Sequence, residues 1–201
     1  HRRADGALAM TFQPAVVDMV RGRATSAATA IIDGDSQLSY AQLDERSNRL
    51  AQALAAEGIA PGHRVGFLGR NCAEFFELMF AAAKLGAVVC AVNWRLSAEE
   101  VAYILGDSDA HIVIAHSEFA PTIPGGMHVV LIDGETPGYA PMRDSAPNVD
   151  PGYIPGKAET WLQLYSSGTT GHPKGVLITY GNLHAFLQAD RKSTRLNSSH
   201  V

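Results

Sequence analysis

Between residues 64 and 115 the chain alternates short β-branched runs with amphipathic stretches, and this alternation restricts the fold more than any other feature of the sequence. Arg64–Leu68, Ala87–Val92 and His111–Ala115 read as buried strands. Between them, Phe75, Leu78, Met79 and Ala82, then Val101, Ile104 and Leu105, recur at helical spacing. Each stretch has a start signal: Asn71 with Glu74, and Ser97 with Glu100, are spaced as capping boxes. A further strand is expected at His128–Ile132. Strand-then-helix order implies an α/β fold, a mostly parallel sheet with covering helices.

Upstream, Thr29–Asp33 and Gln37–Ser39 form an expected hairpin about Gly34-Asp35. Ser39 and Gln42 then make a capping box for a helix running to about Glu57, stopped by Gly58, with Leu43, Leu50 and Leu54 on its buried stripe. From Gly134 to Glu159 the pattern breaks down. Pro137, Pro141, Pro147, Pro151 and Pro155 argue against any regular element there, so the segment reads as a surface connection with no chemistry of its own. No internal repeat is present.

The chemistry concentrates in Tyr165-Ser-Ser-Gly-Thr-Thr-Gly-His-Pro-Lys-Gly175, which packs four serine and threonine hydroxyls, three glycines and one lysine into one loop. Glycines let backbone N–H groups turn toward an anion, hydroxyls donate further bonds, and the lysine supplies charge. A Walker A loop does not fit, because Pro173 falls on its second glycine and Gly175 on its metal-binding hydroxyl. Trp161–Tyr165 alternates at period two and Val176–Thr179 is β-branched, so the loop should join two strands. A helix is expected from about Asn182, its N-cap.

This loop closely resembles the phosphate-binding signature of the adenylate-forming (AMP-binding) superfamily, which includes acyl-CoA synthetases, aryl-CoA ligases, luciferases and peptide-synthetase adenylation domains. The usual wording is Tyr-Thr-Ser-Gly-Thr/Ser-Thr-Gly-x-Pro-Lys-Gly, and Ser166 replaces threonine with another hydroxyl. Leu38–Leu43, Asp44–Ala51, Pro61–Val65, Ala83–Val88 and Val92–Ser97 follow in family order, so the resemblance covers roughly residues 12–188. It implies part of that superfamily's large N-terminal domain.

The activity implied is ATP-dependent formation of an acyl-AMP from a small carboxylic acid, followed by transfer to CoA, with Mg²⁺ neutralising phosphate oxygens. Ser166, Ser167, Gly168, Thr169, Thr170, Gly171, Lys174 and Gly175 would hold the β- and γ-phosphates of ATP; the resemblance does not fix which hydroxyl lies near the metal. Asn93–Leu105 is similar to acyl-CoA synthetases rather than peptide-synthetase adenylation domains. The family's later segments, aromatic-Gly-x-Thr-Glu, Thr-Gly-Asp, a hinge and a C-terminal lysine, are absent. The chain therefore corresponds to an N-terminal portion holding no catalytic residue, inactive alone. Two alternatives stand beside this reading: a peptide-synthetase-type adenylation domain, and a short non-catalytic nucleotide-binding module.

Both ends are set apart. Asp190–His200 resembles the translation of a common sequencing adapter, and residues 190–201 are read as an adapter-derived tail. Residues 1–11 form an uncertain N-terminal extension, with Met10 a candidate start, and residues 12–189 carry the AMP-binding portion.

Other residues carry weaker signals. Arg95 reads either as a ligand-facing cation or as a structural anchor bonding backbone carbonyls. His172 occupies the variable position of the motif and should only be solvated. His111 and His184 show no dyad or metal spacing, and Phe75, Phe76 and Phe80 read as a core stripe. Cys72 and Cys90 are expected to be free thiols. The net charge of −4, more negative still without the basic tail, argues against nucleic acid. No apolar run is long enough to span a bilayer, and a cytoplasmic chain is expected.

Overall fold

The computed structural model describes residues 15–134, 138–166 and 172–198. Helix α1 (Ala15–Arg21) precedes a two-stranded antiparallel hairpin, β1 (Thr29–Asp33) and β2 (Ser36–Ser39), turned through Gly34 at φ +58°. Then follow α2 (Tyr40–Ala56), β3 (Arg64–Leu68), α3 (Ala73–Leu85), β4 (Val88–Val92), α4 (Ala98–Asp107) and β5 (Ala110–Ala115). A 3₁₀ turn at Ser117–Thr122, β6 (Val129–Leu131), α5 (Tyr139–Asp144), β7 (Thr160–Ser166), β8 (Lys174–Thr179) and α6 (Tyr180–Ser198) complete the order.

The main sheet has six strands in the order β6-β5-β3-β4-β7-β8. All neighbours are parallel except β8, which runs antiparallel to β7. One face is covered by α2, α3 and α5, where Leu50, Leu54, Leu78, Ala81 and Tyr139 meet Val65, Phe67, Val89 and Ile112. The other is covered by α4, where Val101, Ile104 and Leu105 meet Leu68, Cys90, Val92 and Val113. Burying each large aliphatic side chain contributes about 1.5–3 kcal/mol, which is why the strands read as continuous apolar runs. The expected mostly parallel sheet with covering helices is the observed architecture.

Two of the capping boxes form as their spacing predicts. Ser39 and Gln42 bond reciprocally at the start of α2, and Ser97 and Glu100 do so at α4. The third does not. The N-cap of α3 is Cys72, without a side-chain cap, and the Ala73 N–H donates instead to Asp33 Oδ2 at 3.0 Å, from the end of β1. At α6 the cap is Thr179 rather than Asn182: Thr179 N–H donates to Asn182 Oδ1 at 3.0 Å, and Asn182 N–H to Thr179 Oγ1 at 3.1 Å. Asn182 is thus the third residue of the helix, acting as the far half of the box.

The proline-rich segment does hold a regular element, contrary to expectation. Helix α5 accommodates Pro141 because it lies in the first turn, where backbone N–H groups have no intrahelical partner. The segment is pinned across the helical face. Tyr139 and Arg143 donate to Glu77 (both 2.8 Å), Asn48 to Asn148 (3.0 Å), and Gln52 to the Val149 carbonyl (2.8 Å). Helix α1 carried no clear sequence signal, and its Val16, Val17 and Val20 are buried against α3, β2 and α6.

Beneath this strap lie two buried charges. Glu77, at 0% exposure, also accepts from Arg46 at 3.0 Å. Lys84, at 1% exposure, donates to Asp44 Oδ1 at 2.7 Å and Ser47 Oγ at 2.9 Å. Burial pulls the Lys84 ammonium below its ordinary range, opposed by the Asp44 carboxylate.

Candidate functional site

The motif Tyr165–Gly175 is carried on the β7–β8 hairpin. Ser166 pairs with Lys174 and Tyr165 with Gly175, and these are the last pairs before the loop. Ser166, Lys174 and Gly175 therefore stand at the mouth of a strand-loop-strand unit, as the flanking periodicity predicts. Ser167, Gly168, Thr169, Thr170 and Gly171 lie outside the described residues.

The base of the hairpin is tied to α4. Tyr165 donates its hydroxyl proton to Asp107 Oδ2 at 2.5 Å and accepts from Gln163 Nε2 at 2.9 Å. Gln163 Oε1 in turn accepts from Arg64 Nε at 3.3 Å. Burial and the Asp107 carboxylate push the Tyr165 hydroxyl well above its usual range. Gly175 has a packing reason to lack a side chain: a Cβ there would lie 3.2 Å from Gln163 Nε2 and 3.4 Å from Tyr165 Cζ.

Beside the hairpin a cleft of about 410 Å³ opens at the carboxyl ends of β3, β4 and β7. Phe67, Gly69, Asn71, Trp94, Arg95 and Tyr165 are among its walls. Its position follows from topology. The loop after β3 rises toward α3 on one face and the loop after β4 toward α4 on the other, so the chain parts between them. Such a switch point is where open α/β sheets bind ligands.

Two guanidinium groups flank Trp94 at the rim, Arg95 at 4.1 Å and Arg70 at 5.0 Å from its ring centre. Arg70 also makes a two-pronged ion pair with Glu118 at 2.9 and 3.2 Å, and Phe119 stacks on Trp94 at 5.5 Å. Arg95 is exposed and its side chain rests on the indole, so it is not the carbonyl-bonded anchor. Its own N–H donates to Asn93 Oδ1 at 3.0 Å, shaping the loop. At the end of β3, Gly69 leaves room for His116, whose Nδ1 would come within 2.4 Å of a Cβ.

The remaining candidates separate clearly. His172 is exposed but stacks on Tyr103 of α4 at 4.8 Å and 19°, so solvation alone does not describe it. His111 stacks on His63 at 4.0 Å, at the opposite end of the sheet from the cleft. His184 is half-buried on α6. Phe75 and Phe80 join the core, but Phe76 is 42% exposed and does not. Burial pushes the Cys72 thiol up to about 12 and raises Cys90 as well, so neither is a thiolate nucleophile at neutral pH.

Among the described residues no cluster of three or more His, Cys, Asp or Glu could hold a metal ion, and no helix is long and apolar enough to cross a membrane. Arg70, Trp94, Tyr103 and Asp107 were not singled out as site residues from sequence. They become neighbours of the site through strand order, which no local pattern encodes.

The sequence pattern of the family described as AMP-binding enzyme matches residues 20–200. The chain belongs to the AMP-binding enzymes. Among curated AMP-binding relatives, the fatty acid–[acyl-carrier-protein] ligase ScoC of Streptomyces coeruleorubidus is 38% identical over 165 residues, covering 80% of this chain and 31% of its own length. The feruloyl-CoA synthase of an Amycolatopsis species is 37% identical over 166 residues, covering 81% of this chain and 32% of its own. The inhibitor-bound crystal structure of the N-terminal domain of FACL13 from Mycobacterium tuberculosis superposes with a TM-score of 0.76 at 37% identity, over 84% of this chain and 45% of that one. The chain thus spans about a third of the length of these curated AMP-binding relatives.

Proposed function

We propose that this chain is the phosphate-holding part of an ATP-dependent acid–CoA ligase. The observation that carries the reading is the β7–β8 hairpin, which presents Ser166 and Lys174 at the two sides of a Gly- and hydroxyl-rich loop beside a cleft at the carboxyl ends of the sheet. Ser166, Ser167, Gly168, Thr169, Thr170, Gly171, Lys174 and Gly175 would bind the β- and γ-phosphates of ATP. Backbone N–H groups freed by glycine and the Lys174 ammonium neutralise charge there as pyrophosphate leaves.

In the first half-reaction a carboxylate oxygen attacks the α-phosphorus, the bond to the bridging oxygen of pyrophosphate breaks, and acyl-AMP forms. In the second, the thiol sulfur of CoA attacks the acyl carbon and AMP leaves. Positioning and charge neutralisation suffice for both steps, and the chain needs no nucleophile of its own. Mg²⁺ would neutralise phosphate oxygens; the hydroxyl donors of this loop suit a hard cation held mainly by its substrate. Arg95, exposed at the rim of the same cleft, is available to a further anionic group.

A carrier-protein acceptor is the second reading, favoured by the acyl-carrier-protein ligase among the relatives. The part of the reaction that needs the later family segments lies outside this sequence, so the chain by itself should not turn over.

The test is to sequence the gene through the codon for Ala189 and assay the encoded protein for acid-dependent ATP–pyrophosphate exchange, with fatty and aryl acids in turn. Exchange that requires one acid class identifies the substrate, and CoA or a carrier protein added afterwards separates the two acceptors. A protein with an intact frame that shows no exchange with any acid would overturn the ligase reading.

A further inference from the structure

We infer that helix α4 is the strut that positions the phosphate hairpin, with Asp107 and Tyr103 as positioning residues. The inference rests on the reading of the hairpin as a phosphate holder. Asp107 accepts the Tyr165 hydroxyl proton at 2.5 Å, and Gln163 donates to the same oxygen at 2.9 Å, so both hydrogen-bonding directions of that hydroxyl are used. Tyr165 immediately precedes Ser166 and pairs in register with Gly175. A Cβ at Gly175 would lie 3.2 Å from the Gln163 amide nitrogen and 3.4 Å from the Tyr165 ring, so the hairpin packs closely against the tyrosine there. Fixing Tyr165 therefore fixes both strands where they open into the loop.

The second attachment is independent of the first. Tyr103 stacks on His172 at 4.8 Å, two residues before Lys174 in the loop's descending limb. Tyr103 and Asp107 are four apart and lie on one face of α4. The helix thus grips the hairpin on its ascending limb through a hydrogen bond and on its descending limb through a ring contact.

The placement of Asp107 is unfavourable without this role. It is the last residue of α4, where a carboxylate meets the negative end of the helix, and that last turn carries no basic residue. The hydrogen bond from Tyr165 is the compensation the structure provides. At its other end α4 starts from the Ser97–Glu100 capping box, directly after Trp94 and Arg95. One ten-residue helix therefore sets the spacing between the arginine at the cleft rim and the lysine of the hairpin.

The test uses the ¹⁵N-labelled 201-residue chain titrated with Mg²⁺-tripolyphosphate, read by amide shifts at residues 166–175, with hydrogen exchange at residues 174–179 measured in parallel. Asp107→Ala and Tyr165→Phe should each weaken binding by about tenfold, the scale of one hydrogen bond to a charged group, and speed hairpin exchange while β3 and β5 stay protected. Asp107→Asn, which keeps an acceptor, should recover most of the affinity. The double variant should be no worse than either single one.

Lys174→Ala separates the two ideas. If the wild-type chain binds tripolyphosphate, Lys174→Ala weakens it and Asp107→Ala does not, the strut is wrong and the phosphate reading stands. If the wild-type chain does not bind, the phosphate reading falls and exchange alone decides the strut. Faster exchange confined to the hairpin in both variants keeps it; exchange equal to wild type removes it.

Discussion

Arg21 of α1 holds both carboxylate oxygens of Asp150 at 2.6 Å across 129 residues of sequence, and its remaining nitrogen donates to the Tyr153 carbonyl at 3.2 Å. This contact closes the strap that runs from α5 to β7 over the helical face. Burial pushes the Asp150 carboxyl up, but the Arg21 guanidinium and the Gly152 N–H outweigh it and hold it below the ordinary value.

Asp150→Asn should lower stability by about 1–2 kcal/mol at pH 7, between an exposed pair and a buried one. Because the native carboxyl is lowered, the contribution is present above about pH 3.9, the ordinary aspartate value, and is lost as pH falls further through the native one. Urea denaturation across a pH series should show the variant's deficit at full size from pH 7 down to about pH 3.9 and shrinking at lower pH.

Glu77→Ala should cost more, about 2–4 kcal/mol, because it leaves the buried Tyr139 hydroxyl without its acceptor and removes one of the two carboxylates on Arg143, which keeps only Asp144 at 2.7 and 3.1 Å. Replacing all three, as Glu77→Leu, Arg143→Leu and Tyr139→Phe, should recover part of the loss, since no buried charge is then unpaired. Urea midpoints of the single and triple variants give the comparison.

Gly86→Ala combines two penalties. Gly86 ends α3 at φ +79°, and a Cβ there would come within 2.6 Å of Tyr153 Cε1. The left-handed backbone costs an L-residue about 1–2 kcal/mol and the overpacking about 1–3 more. In a Tyr153→Ala background only the backbone part should remain. A loss of the same size in both backgrounds would remove Tyr153 from the account.

In the enzyme encoded by the complete gene, Lys174→Ala and Thr169→Ala should each lower kcat/KM for ATP, by roughly 10²-fold for the lysine, the scale of one lost donor to developing charge. Pyrophosphate exchange measures both. Unchanged rates in both variants would remove the loop from nucleotide handling.

Much of the fold was legible because its signals are local. The Ser39–Gln42 and Ser97–Glu100 boxes need only residues three apart, and both formed. Asn71 and Glu74 have the same spacing, yet Asp33, forty residues away, supplies the cap to α3. The prolines from 137 to 155 were read as barring structure, but a proline in the first turn removes no helical bond, and the strap is ordered by side-chain partners far away in sequence. The loop motif named its candidate residues directly. Arg70, Tyr103 and Asp107 carry no motif, and they reach the site only because β4 and β7 are neighbours with α4 packed across them.

By itself the sequence determined the strand–helix alternation that makes the sheet parallel, the caps of α2 and α4, and the hairpin with its Gly- and hydroxyl-rich motif. Periodicity, caps and glycine spacing act over a few residues and are written in the chain. The tertiary structure alone decided which helix supports that hairpin, where the cleft opens and what anchors the strap. Those depend on strand order and on hydrogen bonds between residues dozens of positions apart, which become neighbours only when the sheet has formed.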